Sequence, residues 1–122
     1  DITGYGLLGH LLEMCKGSEL CADIKFDTIK FIDGSIKAAY DNIIPAGTKR
    51  NLSFIEKHIK FSDNIDRTKQ LLLADAQTSG GLLISVPKSK EKELQAKLLD
   101  ANCNAMKIGH MTEIKSNFIK VS

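Results

Sequence analysis

Little in this sequence is in excess, and what it lacks narrows what the chain can be. No apolar run approaches the roughly 18 residues that a membrane-spanning helix needs, so no membrane partner is expected. Neither sign of charge dominates: 17 basic side chains face 15 acidic ones, a formal net charge of +2. That balance lacks the electrostatic footprint of a nucleic-acid binder. The three cysteines, Cys15, Cys21 and Cys103, form no C-x-x-C pair, so no zinc framework is expected. Scattered thiols in odd number read as small buried hydrophobes in a reducing compartment, and a cytoplasmic location is expected. No internal repeat and no low-complexity tract interrupts the chain.

What is present suits one globular domain. The chain has 122 residues, of which 43% are hydrophobic and 26% charged, enough for a proper core. Leu7, Leu8, Leu11, Leu12 and Cys15 fall within about 140° of a helical wheel, with Glu13 and Lys16 facing away. Gly17 is the expected stop of that helix. Ala22, Ile24 and Phe26 alternate with Asp23, Lys25 and Asp27, the pattern of a half-buried strand. A short helix is expected from Asp33, as N-cap, to Tyr40, with Ile36, Ala39 and Tyr40 turned inward. Pro45 and Gly47 mark an irregular turn, and a helix is expected from Asn51 to His58. Ile59–Phe61 reads as a brief strand and Asp66–Leu73 as a further helix.

The continuous apolar run Leu82–Val86, closed by Pro87, predicts a central strand buried on both faces. Ser89 is placed to cap a charged helix over Lys90–Ala101, with Leu94, Leu98 and Ala101 as its inner stripe. Ala105–Met111 and Phe118–Val121 read as closing strands, joined by a polar turn near Lys115–Asn117. Strands alternating with helices predict an α/β (α+β) layered fold, a mixed sheet with flanking helices.

Chemistry concentrates at the start. Asp1-Ile2-Thr3-Gly4-Tyr5-Gly6-Leu7-Leu8-Gly9-His10 sets an acid, a hydroxyl and three glycines before the first apolar helix. Gly4 and Gly6 free the backbone for unusual φ and for close approach by a ligand. The helix starting near Gly6 offers unpaired N–H groups to phosphate, and Asp1 is a hard oxygen donor suited to Mg²⁺. An N-cap followed by a glycine turn has the same pattern, and the residues alone leave both readings open. His10 lies about 130° from the centre of the apolar arc, the place of a surface or interdomain histidine. A start on Asp rather than Met makes an excised part of a longer protein the expectation.

Two later stretches carry similar polar, glycine-bearing motifs: Gly47-Thr48-Lys49-Arg50-Asn51 and Ala76-Gln77-Thr78-Ser79-Gly80-Gly81-Leu82-Leu83. With Asp1–His10 they resemble, in order and spacing, three motifs of the C-terminal domain of the selenophosphate synthetase (selenide, water dikinase) family. The resemblance covers essentially the whole chain. It departs at Tyr5, where the family usually has Phe, and at Ala76, where Pro is common; Lys49 keeps the family's basic residue.

The resemblance implies the C-terminal fold shared with aminoimidazole ribonucleotide synthetase, residues 1–122 forming a single C-terminal domain. It implies an ATP-dependent phosphotransfer that makes selenophosphate from selenide and water, with AMP and phosphate as the other products. Asp1 would be a ligand of the Mg²⁺ that accompanies ATP. Thr3, Gly4, Gly6, Thr48, Arg50, Asn51, Thr78, Ser79 and Gly80 would line the phosphate side of the cleft, or else serve as caps and loop braces. An N-terminal ATP-binding domain would complete the nucleotide site and supply the catalytic Cys or selenocysteine. No catalytic residue is expected in this chain, and none of its three cysteines inherits that role. A homodimer is implied for the whole enzyme. The alternatives are a related ATP-dependent enzyme, such as aminoimidazole ribonucleotide synthetase or thiamine-monophosphate kinase, and a non-catalytic scaffold of the same fold.

Overall fold

The computed structural model describes every residue except Lys115. Four short strands, β1 (Cys21–Ile24), β2 (Ile59–Phe61), β3 (Gly109–Thr112) and β4 (Ile119–Val121), make one mixed sheet in the order β2-β4-β1-β3. β4 runs parallel to β1 and β2, whereas β3 is antiparallel to β1. Side chains alternate across each strand. Ile59, Ile119 and Ala22 share one buried row, and Val121 and Ile24 share another. On the opposite face Lys60, Lys120, Asp23 and His110 register with one another across the sheet. One face therefore meets the core and the other is polar.

Helix α1 (Gly6–Ser18) lies on β1 and β4 and touches α3 (Ala46–Ile55) and α4 (Arg67–Leu73). Its predicted stripe is the core's centre: Leu8, Leu11, Leu12 and Cys15 are all buried. Burial, with Cys21 close by, pushes the Cys15 thiol up to about 11, so Cys15 packs as an inert hydrophobe. Leu52 and Ile55 of α3 and Leu71 and Leu73 of α4 complete the helical layer. Asp66 caps α4 by accepting the Lys69 N–H at 2.9 Å. That backbone bond, with the Tyr40 hydroxyl donating to the same carboxylate at 2.9 Å, holds Asp66 below its usual value. Among the described residues no helix is long and apolar enough to cross a membrane.

The mixed α/β architecture agrees with the sequence, but several elements differ. Leu82–Val86 belongs to no strand; Leu82 is 69% exposed, Ile84 and Val86 are exposed too, and Leu83 alone packs against the core. Hydrophobicity alone does not make a strand, and this run pairs with none of β1 to β4. Helix α5 (Glu91–Asp100) starts from Lys90 after a 3₁₀ turn, so Ser89 is not its cap. Its Leu94 and Leu98 are half-buried and Ala101 is exposed, because the helix lies at the margin rather than over the core.

Gly34, at φ 83°, takes the N-cap of α2 (Ser35–Tyr40) in place of Asp33, since a left-handed backbone there favours glycine. Ile36 and Tyr40 are exposed; this six-residue helix buries only Ala39. Helix α1 runs through Gly17, and Glu19 takes the left-handed cap at φ 55°. Helix α3 starts at Ala46, directly after Pro45, whose fixed φ is compatible with helix entry. Cys15 and Cys21 are buried as expected, but Cys103 is exposed beyond α5. The closing strands fall at Gly109–Thr112 and Ile119–Val121, and the turn expected near Lys115–Asn117 includes Lys115, outside the described residues.

Candidate functional site

The three motifs, far apart in sequence, meet at one junction. The Thr3 carbonyl accepts from the Gly6 N–H at 3.0 Å and from the Gln77 N–H at 3.0 Å. The Ile2 N–H donates to the Gly81 carbonyl at 2.9 Å. The first motif is thus bonded on both sides of Thr78-Ser79-Gly80. The second motif closes the junction from α3. Asn51 Nδ2 donates to the Gly4 carbonyl at 2.7 Å and to the Ala74 carbonyl at 3.1 Å. Thr48, 1% exposed, donates its hydroxyl to Asp75 Oδ1 at 2.6 Å, and Gln77 Nε2 donates to Asp75 Oδ2 at 2.7 Å.

Two glycines are required by this closeness. Gly6 has φ +70°, and a Cβ there would stand 2.6 Å from the Asp75 carbonyl oxygen. A Cβ on Gly80 would run into the Ile2 carbonyl. Gly4 differs from the sequence reading: its φ is not in the left-handed region and a Cβ would meet nothing within 4 Å.

Thr48, Asn51, Gly6 and Gly80 hold the junction together, and Thr3 and Gly4 join it through their carbonyls. Asp1, Thr3, Gly4, Arg50, Thr78, Ser79 and Gly80 are exposed. Arg50 and Asn51 sit on α3 rather than in a loop, as does Thr48. Ile2 is buried between exposed Asp1 and exposed Thr3, which anchors the strip that presents them. Asp75 was not singled out in the sequence. It lies 27 positions from the threonine it binds, and no local pattern signals so distant a pairing.

Helix α1 brings two further side chains to the edge. Thr3 Oγ1 lies 2.9 Å from His10 Nε2, and His10 Nδ1 lies 2.9 Å from Glu13 Oε2. The Tyr5 ring meets the His10 ring edge-on, with centroids 5.9 Å apart.

The donor set near Asp1 is hard oxygen, which suits Mg²⁺. Among the described residues no group of three or more His, Cys, Asp or Glu side chains is placed to hold a metal. The exposed donors there, the Asp1 carboxylate and the Thr3, Thr78 and Ser79 hydroxyls, are of the oxygen type that Mg²⁺ takes, but they make no complete cage among the described residues.

The structure is thus an α/β domain in which two glycine-bearing stretches and the start of α3 meet at the first turn of α1. The chain belongs to the family described as AIR synthase related protein, C-terminal domain, which it matches over residues 1–122. The chain is 47% identical over 94 residues to the selenide, water dikinase of Clostridioides difficile (strain 630), an alignment covering 77% of this chain and 27% of that protein. It is 40% identical over 119 residues to the selenide, water dikinase of Carboxydothermus hydrogenoformans, 98% of this chain and 34% of that protein. Against the same-named protein of Myxococcus xanthus it is 40% identical over 111 residues, 91% of this chain and 32% of that one. The chain thus spans about a third of the length of these relatives, and the resemblance drawn from the three motifs is borne out.

Proposed function

We propose that the full-length protein carrying this chain is an ATP-dependent phosphotransferase that makes selenophosphate from selenide, ATP and water, releasing AMP and phosphate. The observation that supports this most is the meeting of the three motifs at one edge, in a chain 40% identical over nearly its whole length to a selenide, water dikinase. Phosphoryl transfer demands positioning and charge stabilisation more than covalent chemistry from the protein. Mg²⁺, when bound, neutralises and aligns the phosphates.

In this reading the domain contributes Asp1 as one metal ligand and Thr3, Arg50, Thr78 and Ser79 as part of the cleft wall. Asn51, Thr48 and Asp75 hold the loops that carry them. The nucleotide pocket, the remaining carboxylates and the reactive Cys or selenocysteine belong to an N-terminal domain that is this domain's partner, in a homodimeric enzyme. The test is ³¹P NMR of the full-length protein with ATP, Mg²⁺ and selenide under anaerobic conditions. Selenophosphate, AMP and orthophosphate in equal amounts are expected. ADP as the final nucleotide, or no selenide-dependent product, would refute the reading.

A further inference from the structure

From the Thr3–His10–Glu13 chain of hydrogen bonds we infer that His10 is a positioning residue that makes Thr3 an acceptor facing the metal side of the site, not a donor to phosphate. The inference rests on the proposed phosphotransfer and deepens it by assigning what Thr3 recognises. Its premise is geometric. An ionised carboxylate only accepts hydrogen bonds, so wherever the ring carries a single proton Glu13 Oε2, 2.9 Å away, holds it on Nδ1. Nε2 then carries a lone pair. In that form the partner 2.9 Å from it, Thr3 Oγ1, gives its own proton to the ring.

A hydroxyl has one proton and two lone pairs. Once the proton points at His10, only lone pairs remain for a ligand. Such an oxygen repels phosphate oxygens and attracts a cation or the hydrogens of a cation's water shell. Mg²⁺ gives up its water reluctantly and is commonly held through it. Thr3 stands two residues from Asp1, and both are exposed beside buried Ile2. The Thr3 backbone cannot swing away, because its carbonyl is bonded to both the Gly6 and the Gln77 amides. Glu13, one helical turn beyond His10, and the edge-on Tyr5 ring hold the imidazole in turn. Thr3 and His10 together would thus support the hydration shell of the ion that Asp1 binds, as outer partners commonly orient metal ligands.

The test has two readouts on the full-length protein. In protein ¹⁵N-labelled at histidine, with His10 assigned by its loss in His10→Gln, the imidazole should be protonated at Nδ1 and not at Nε2. Glu13→Gln should raise the share of the opposite tautomer. In selenide-dependent turnover, Thr3→Val and His10→Gln should raise the Mg²⁺ needed for half-maximal rate about tenfold or more, the usual effect of losing such outer partners. The KM for ATP should change less than twofold, and Thr3→Ser, which keeps the hydroxyl, should raise the Mg²⁺ requirement far less than Thr3→Val. A wild-type His10 protonated at Nε2, a loss that falls on the KM for ATP, or no change in either constant would overturn the inference. The tautomer is read without turnover, so a protein that makes no selenophosphate would refute the proposed reaction while the spectrum still decides the His10 geometry.

Discussion

Gly6 and Gly4 stand two residues apart in the same motif, yet the structure asks different things of them. Gly6 combines a left-handed φ of +70° with a carbonyl oxygen where its Cβ would go, while Gly4 has open space around it. Gly6→Ala should therefore destabilise the domain by about 2 kcal/mol or more, and Gly4→Ala should leave stability within about 1 kcal/mol of wild type. Urea denaturation of the two variants measures this; equal midpoints would mean that the junction yields at no cost. The sequence showed that glycine was needed in this motif but not which one, since spacing carries no information about the distant Asp75 carbonyl. The same holds for Thr48. Its place in a polar motif was plain, but its burial against Asp75 was not, because the two are joined only by the packing of α3 on α4.

Among the elements, those stabilised by their own periodicity were readable. The stripe of α1 follows from its spacing, and a helix over Asp66–Leu73 was expected there, although its Asp66 cap was not singled out. The run Leu82–Val86 was misread because hydrophobicity does not name a pairing partner, and α3 because Pro45-Ala46-Gly47 looks like a turn while also permitting helix entry. This difference has a measurable consequence. Leu8→Ala, at a fully buried site, should cost about 2–5 kcal/mol, whereas Leu83→Ala should cost clearly less, since Leu83 is only partly covered. Equal losses on denaturation would place Leu83 in a closed core. The α4 cap adds a pH dependence. The folded Asp66 lies below its ordinary value of 3.8, chiefly through the Lys69 N–H bond, so its ionised form is favoured by folding. Its contribution is complete above that ordinary value and is lost as pH falls through the folded one. Asp66→Asn keeps a capping oxygen without the charge. Wild type should therefore be the more stable at neutral pH, by a margin that shrinks as the pH drops below about 4. A margin that is constant with pH would show that the charge of Asp66 does not matter to the fold.

At the scale of the whole molecule, the sheet and its helices serve as a frame that brings three motifs to one edge. The family was readable in the sequence because those motifs retain order and spacing. The junction itself was not readable, because it is made largely by backbone carbonyls and amides that any residue supplies. The outcome is a domain that holds Asp1 and Thr3 on an anchored strip but gathers no complete metal cage among its described residues. Such a domain would contribute to phosphotransfer only as one wall of a larger site. Asp1→Asn in the full-length protein tests that claim most directly. The amide preserves shape and removes the charge that would oppose Mg²⁺. With circular dichroism and the denaturation midpoint unchanged, selenophosphate formation followed by ³¹P NMR should fall roughly 10²–10⁴-fold, and added Mg²⁺ should not restore the full rate. Near-normal turnover at ordinary Mg²⁺ would contradict the account and leave Asp1 as no more than the first residue of a structural turn.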